Sequence, residues 1–291
     1  NDDLTVTETE NNELVYIHGN TGDDVINLRT LQGETRVLAG DGNDAINAGS
    51  LAPAINGNVK SISAALFISG EAGADITNVD DRSDASGNTG YLTATQLTGI
   101  GMAVGITYDT LEFLNIDTGS GNDVFNIRGT SAVTDIGLHN GDEQVYVSSM
   151  ANVAVGDPHP DFLAGNLDGI NGSLNLNLGS GRHLLFISDE SATVGDSAVT
   201  ITNGLISGLA PAGITFVVDN SATTAMSWSN MVEFRGEALD GATIWMNGKE
   251  IGAAEAGKEL SYGSYKRVEV KLEAATWKET AGSGEAVATK F

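Results

Sequence analysis

The chain has 291 residues, and its 39 acidic and 14 basic side chains give a formal net charge of −25 at pH 7. Such a negative field repels nucleic acids and anionic membranes and disfavours phosphate or sulfate ligands. The absence of cysteine excludes a disulfide scaffold, a thiolate metal site and a cysteine nucleophile. Because no apolar run reaches about eighteen residues, we expect no membrane span.

A short motif recurs six times between residues 22 and 187. In each copy a glycine is followed two residues later by an acid or its replacement, and then by alternating apolar residues. The copies are Gly22–Leu28, Gly42–Ala48, Gly73–Val79, Gly121–Ile127, Gly141–Val147 and Gly181–Ile187. The last three glycines follow the first three by 99, 99 and 108 residues. A turn-and-strand unit inside a tandem duplication is typical of a solenoid.

Strand-like stretches bounded by Gly, Asn, Asp or Ser continue along the chain to residue 217. Asn-Gly hairpin signals are rare there, so consecutive strands are expected to wind rather than fold back. We predict an all-β fold: a right-handed parallel β-helix, or β-solenoid, with one copy over residues 1–111 and the second over 112–218. A pair of β-sandwiches, one per copy, is the alternative. The longer second copy is expected to carry an extra loop around Asp157–Phe162.

Residues 219–291 differ from the rest in composition. They contain all three tryptophans and no proline, and their net charge is −3, against −22 for residues 1–217. We therefore predict a boundary near Asp219, followed by a small antiparallel β module or cap. Asn247-Gly248 predicts one hairpin, and Ala281–Gly284 could join another. Because tryptophan is enriched at interfaces, this part is expected to mediate self-association or docking into a larger surface assembly. The alternative is that the three tryptophans only form the core of the small module.

Two of the motifs extend to a nonapeptide. Ala39–Asn47 and Thr118–Asn126 follow Gly-Gly-x-Gly-x-Asp-x-apolar-x at every fixed position but the first. In these residues the chain resembles the calcium-binding RTX-type (hemolysin-type) repeats and, more loosely, the degenerate β-solenoid repeats of large bacterial surface and adhesin-like proteins. The resemblance implies Ca²⁺ held between successive coils by turn carbonyls and the Asp carboxylate. The chain departs from the family in that its nonapeptides are isolated, and in the replacements Glu143 and His183.

The resemblance implies metal ligands in the glycine and the acid of each turn, because Ca²⁺ takes six to eight hard oxygens. The implied residues are Gly22, Asp24, Gly42, Asp44, Gly73, Asp75, Gly121, Asp123 and Glu143. The pairs Asp24/Asp44 and Asp123/Glu143, one coil apart, would share sites. The other interpretation is that each acid only caps its turn by accepting backbone N–H groups.

Few residues point to catalysis. The four histidines are scattered, and neither His-Glu-x-x-His nor Gly-x-Ser-x-Gly occurs. Acidic pairs such as Asp80/Asp81 are expected to be solvated surface. We predict a non-enzymatic structural or adhesive protein of the extracellular space or cell surface, calcium-stabilised and forming filaments or a matrix. The alternative is a carbohydrate-binding or carbohydrate-degrading β-helix protein, with a glycan on the Asp157–Phe162 loop.

Overall fold

Side chains point alternately to the interior and to the surface within the strands, as in β4, where Thr35, Val37 and Ala39 are buried and their neighbours Arg36 and Leu38 are less so. The structure is a computed structural model that describes 1–160, 163–181, 183–202, 204–217 and the strand backbones of 231–246, 249–253, 258–260, 267–270, 276–282 and 285–289. Within these residues the fold is all-β, and it contains no helix that could span a membrane.

The strands are short and follow one another closely. The first ten are β1 (Asp3–Val6), β2 (Leu14–His18), β3 (Val25–Leu28), β4 (Glu34–Asp41), β5 (Ala45–Ala48), β6 (Leu66–Ala72), β7 (Ile76–Asp80), β8 (Thr89–Leu92), β9 (Gln96–Thr98) and β10 (Ile106–Asp109). Next come β11 (Phe113–Asp117), β12 (Val124–Ile127), β13 (Val133–Gly137), β14 (Gln144–Val147), β15 (Leu174–Asn177), β16 (Leu184–Ser188), β17 (Asp196–Ile201), β18 (Leu205–Ser207) and β19 (Ile214–Val217). The last are β20 (Met231–Met246), β21 (Lys249–Ala253), β22 (Lys258–Leu260), β23 (Arg267–Val270), β24 (Thr276–Gly282) and β25 (Glu285–Thr289).

The strands form two mostly parallel sheets. In the first sheet, parallel pairing runs through β1, β3, β5, β7, β11, β13, β15 and β19. In the second sheet, β2, β4, β6 and β10 pair in parallel, and so do β8, β12, β14 and β16. Parallel pairing of β7 with β11 crosses from one predicted copy to the next, so the prediction of two separate β-sandwiches is wrong.

Up to β19, each sheet also contains an antiparallel meander among the described residues, and there the prediction that strands wind without folding back is wrong. In the second sheet β9 pairs antiparallel with both β8 and β10, and in the first sheet β18 does so with β17 and β19. The turn between β8 and β9 closes by a hydrogen bond of 2.9 Å from Thr93 N–H to Gln96 O. No glycine or asparagine marks this turn, which is why the sequence pattern missed it.

The order of strands β2–β10, here called the first unit, recurs in β11–β19, the second unit, with the sheets exchanged. The first unit starts in the second sheet and ends in a meander there, whereas the second unit starts and ends in the first sheet. The strands from β2 to β8 alternate between the sheets, and their number is odd, so β8 lies in the same sheet as β2. The meander β8–β10 stays in that sheet, and the next unit therefore begins in the opposite one.

The core lies between the sheets and is built from rows of apolar side chains at matching register positions. One row runs through seven strands of the first sheet and comprises Leu28, Ala48, Val79, Ile116, Ile136, Leu176 and Phe216. Every member is buried, and one continuous apolar cluster extends from Ile17 to Phe216. Each coil therefore buries its inner face against the coils on either side of it.

Beyond β19 the described strands pair mostly antiparallel. β20 pairs with β21, placing Met246 opposite Lys249, and β24 pairs with β25, placing Gly282 opposite Glu285. Both predicted hairpins thus have their strands paired, although Asn247-Gly248 itself lies outside the described residues. β20 also pairs in parallel with β16 and β17. The predicted boundary near Asp219 lies outside the described residues, as do Trp228 and the end of the 157–162 loop, Asp161 and Phe162.

Candidate functional site

The six motif copies form turns that lead into β3, β5 and β7 of the first sheet and into β12, β14 and β16 of the second. Backbone conformation requires the motif glycine: φ is +118° at Gly22, +142° at Gly42 and +146° at Gly73. Close stacking requires it as well, since a Cβ on Gly73 would lie 1.5 Å from the carbonyl oxygen of Gly42. The motif glycines are therefore explained by turn geometry.

The acids of the first three turns form one buried ladder. The relative exposure of Asp24, Asp44 and Asp75 is 2% or less. The backbone N–H of Asp24 donates to Oδ1 of Asp44 at 2.7 Å, and that of Asp44 to Oδ1 of Asp75 at 2.8 Å. Asp75 N–H in turn donates to Oε2 of Glu112 at 2.8 Å. Each carboxylate caps the turn of the neighbouring coil, whereas the sequence suggested that it caps its own.

The second oxygen of each of these carboxylates has no hydrogen-bond partner. Oδ2 of Asp24, Asp44 and Asp75 is buried and unpaired within the described residues. Burial raises the pKa of Asp44 and of Asp75 above the usual value for aspartate. A buried carboxylate oxygen without a partner is costly, so it favours either a proton or a cation at that position.

The second unit has a different set of acids in its turns. Asn88 N–H donates to Oδ1 of Asp123 at 2.8 Å, and the ring of His183 bonds Oε2 of Glu143 through Nδ1 at 3.0 Å. His183 and Glu143 are both fully buried, and burial raises the pKa of Glu143 and of Asp123. Within the part of the chain that the structure describes, Oδ2 of Asp123 and Oε1 of Glu143 have no hydrogen-bond partner. Glu143 and His183 therefore replace the aspartate of the other motif copies, and their side chains pair with each other.

The residues directly before the buried acids in the sequence form a second ladder, whose hydrogen bonds run in the opposite direction along the chain. Asp23 N–H donates to the side-chain oxygen of Asn1, Asn43 N–H to that of Asp23, and Ala74 N–H to that of Asn43, at 2.8–2.9 Å. In the second unit, Asp142 N–H donates to Oδ1 of Asn122 at 2.9 Å. The polar residues before Asp24, Asp44 and Asp123 thus each bind the backbone of the next coil.

A third ladder, which was not predicted from the sequence, is formed by asparagines on the outer face of the first sheet. Nδ2 of Asn115 donates to Oδ1 of Asn78, that of Asn78 to Asn47, and that of Asn47 to Asn27, each at 2.9 Å. Asn47 and Asn78 also lie opposite each other in the strand register. The signal was present, because an asparagine lies five residues after the glycine in each of the first three motifs.

A further acidic pair lies at the end of β7, where the sequence predicted solvated surface. This prediction is wrong for Asp81, which is fully buried and accepts the N–H of Val59 at 3.0 Å. Burial raises the pKa of Asp81 to about 7. Burial acts in the same direction on nearby Asp84, but the hydrogen bond from Lys60 Nζ at 2.7 Å and those from Ser86 and Asn88 outweigh it and lower the pKa to about 2.

The nine residues implied as metal ligands are thus divided between two stacks. Asp24, Asp44 and Asp75 lie in the first, while Asp123 and Glu143 lie in turns of the second sheet. Among the described residues, no three His, Asp or Glu side chains form a group that could hold a metal ion. Each turn offers one unpaired carboxylate oxygen, so a cation bound there would need carbonyl groups and water to complete its coordination.

Comparison of the chain with protein-family models, curated proteins and solved structures found no match.

Proposed function

We propose that this chain is a non-enzymatic structural or adhesive protein of the extracellular space or cell surface, built as a right-handed β-solenoid. The observation that carries the proposal is the direction of its polar contacts. The acids, the residues before them and the asparagines bond from coil to coil, along the stack. This arrangement suits a load-bearing stack, whereas catalysis requires polar groups that converge on one point.

Calcium is the proposed stabiliser of the acidic turns. The unpaired oxygens of Asp24, Asp44 and Asp75 are the groups that would hold it in the first stack. A cation there would offset both the burial of these carboxylates and the charge of −25 on the whole chain. In the second stack, Asp123 and Glu143 would have the same role.

Thermal melting at fixed ionic strength, in chelator and in millimolar Ca²⁺, tests this proposal. A ligand present at about 100 times its dissociation constant adds about 2.7 kcal/mol to the free energy of unfolding. We expect Asp44→Asn to reduce the calcium-dependent rise in melting temperature. The matched control is Asp41→Asn, which removes the same charge from an exposed position in the same turn and should keep the rise. An unchanged melting temperature in the wild-type protein would remove calcium from the proposal.

Assembly is proposed to occur through the first coil. Among the described residues, β1 pairs only with β3 and β2 only with β4, which leaves one edge of each strand free. Leu4, Leu14 and Tyr16 on these strands are 42–57% exposed. An unpaired strand edge is a template for pairing with another chain.

Light scattering on the intact chain at increasing concentration tests this assembly. We expect self-association that weakens in Leu4→Lys and Tyr16→Lys, because lysine on an edge strand opposes pairing. Leu51→Lys is a control, since Leu51 is 51% exposed in a turn away from these edges. A strictly monomeric wild-type chain in calcium and salt would contradict the assembly.

A further inference from the structure

A cavity of about 300 Å³ lies at the outer face of the first sheet, near the ends of β5, β7 and β11. Its lining includes two amides of the asparagine ladder, two apolar residues of the loop after β5 and charged side chains. They are Asn47, Asn78, Pro53, Ile55, Arg82 and Asp117. Arg82 bonds both Asp117 and Asp80, the latter at 2.9 Å. This cavity is called the groove of the first unit.

The equivalent place in the second unit is filled by the chain itself. Tyr146 and Phe186 pair across β14 and β16 as Asn47 and Asn78 pair across β5 and β7, and both rings are fully buried. The ring of His159, from the long loop after β14, lies 5.2 Å from that of Phe186. The segment that covers this face is the one that the first unit lacks.

The two loops start and finish alike, which shows that the places are equivalent. In the first unit, Ser50 N–H donates to Asn58 O at 2.8 Å, and Ser50 Oγ accepts the N–H of Asn58 at 3.0 Å. Ser149 and Asn166 form the same two bonds in the second unit, at 2.8 and 2.9 Å. Between these anchors the loop of the second unit is longer by nine residues.

In the second unit, an outer-face asparagine binds the covering segment through its backbone. Oδ1 of Asn126 accepts the N–H of Val153 at 2.8 Å, and Nδ2 of Asn126 donates to Val153 O at 2.8 Å. The side-chain amide thus pairs with a peptide group much as a neighbouring strand would. Asn126 occupies the motif position of Asn27, the ladder member next to Asn47.

The asparagines in the groove of the first unit retain the capacity for the same contact. An asparagine side chain offers two N–H donors and two acceptor lone pairs. The ladder uses one donor and one lone pair of Asn47, through Asn27 and Asn78, and likewise one of each on Asn78. Both residues are only partly buried, so the remaining donor and lone pair can meet a ligand.

We propose that the groove of the first unit binds an extended peptide segment of a partner protein, through backbone hydrogen bonds to Asn47 and Asn78. The segment would carry small, uncharged or basic side chains. Asp80 and Asp117 together exceed the single charge of Arg82, and the whole chain at −25 repels acidic ligands. The proposal goes beyond the structural role and depends on neither calcium nor self-association.

The probe is the capped hexapeptide Ala-Asn-Val-Ala-Val-Gly, the sequence of residues 151–156, which includes the segment seated in the second unit. It is titrated into the intact protein while the side-chain amide resonances of Asn47 and Asn78 are followed. We expect these resonances to shift with a dissociation constant of about 1 mM or below. The same peptide N-methylated at its first valine cannot donate that backbone hydrogen bond and should bind about tenfold more weakly.

Protein variants give a second readout. Asn47→Ala should weaken peptide binding about tenfold, whereas Asn175→Ala, which removes an asparagine of the same sheet outside the groove, should leave it unchanged. The N-methylated peptide tests the proposal on unaltered protein, in case a variant does not fold. Three results would overturn it: no shift up to about 5 mM peptide, equal binding of the N-methylated form, or shifts caused by a neutral oligosaccharide and not by the peptide.

Discussion

The first and second units share one plan and differ on their outer faces. Their strand order, meanders and loop anchors correspond, although each unit occupies the sheets in the opposite order. Where the first unit has Asn47 and Asn78 beside an open groove, the second has Tyr146 and Phe186 under its own loop. Inner faces and turns are constrained by the coils stacked against them, while an outer face is free to diverge. Divergence in function is therefore expected on the outer faces.

The largest effect should come from the stacking that both units share. In Gly73→Ala the new Cβ would lie 1.5 Å from Gly42 O, and in Gly181→Ala it would lie 1.7 Å from Gly141 O. We expect each variant to lose about 4–5 kcal/mol of unfolding free energy, measured by urea denaturation, or to fail to fold. Gly213→Ala is the control, because its Cβ would meet nothing closer than 3.6 Å. If only one of the two substitutions reduced the free energy of unfolding, the two units would not share one stack.

The next effect should separate the two outer faces. Phe186→Ala empties a fully buried site and should cost about 3–4 kcal/mol. Asn78→Ala, at the equivalent position, removes two ladder hydrogen bonds of 2.9 Å from a partly exposed site and should cost about 1–2 kcal/mol. Urea denaturation of both variants measures the difference. Equal losses would mean that the loop of the second unit does not stabilise the face that it covers.

Much of this plan could be predicted from the sequence, because a turn and the strand after it are local. The motif glycines and the alternating apolar residues place the turns and the inner face. The partners of Asp24 and Asp81 could not be predicted, because each binds a backbone N–H 22 residues away, at Asp2 and Val59. The exchange of sheets between the two units could not be predicted either. It depends on whether the number of strands is odd and on the turn at Thr93, which no glycine or asparagine marks.

The third effect depends on pH and concerns a buried acid of the first unit. Folding raises the pKa of Asp81 from 3.8 to about 7. Because the folded state holds this proton more tightly, its contribution to stability is complete below pH 3.8 and is lost as the pH rises through about 7. The shift corresponds to at most about 4 kcal/mol.

Asp81→Asn isolates this contribution, because asparagine keeps the acceptor for Val59 N–H and cannot ionise. We expect the variant to melt above the wild type at about pH 8 and close to it at about pH 4.5. Asp84→Asn is the contrasting variant. The pKa of Asp84 is lowered to about 2, so its stabilisation is present above pH 3.8 and lost as the pH falls through about 2. That variant should melt below the wild type at neutral pH.

The smallest effect concerns an arginine contact that both units share. Nε of Arg29 donates to Ala52 O at 2.7 Å, and Nε of Arg128, at the equivalent position, donates to Ala151 O at 2.6 Å. Arg128 also bonds Oδ1 of Asn152 at 3.1 Å and lies 4.9 Å from the centre of the Tyr91 ring. The guanidinium group of Arg128 therefore holds the longer loop of the second unit through two hydrogen bonds, and its position over the Tyr91 ring ties it to β8.

Lysine keeps the charge at either position but cannot reproduce the planar set of donors. We expect Arg128→Lys to cost about 1.5 kcal/mol and Arg29→Lys about 0.5 kcal/mol, measured by urea denaturation. Amide hydrogen exchange of residues 152–155 should accelerate in Arg128→Lys alone, because only there does the arginine anchor a loop that covers a buried face. Equal costs and unchanged exchange would show that the loop is fixed by its apolar packing on Tyr146 and Phe186, without help from the arginine.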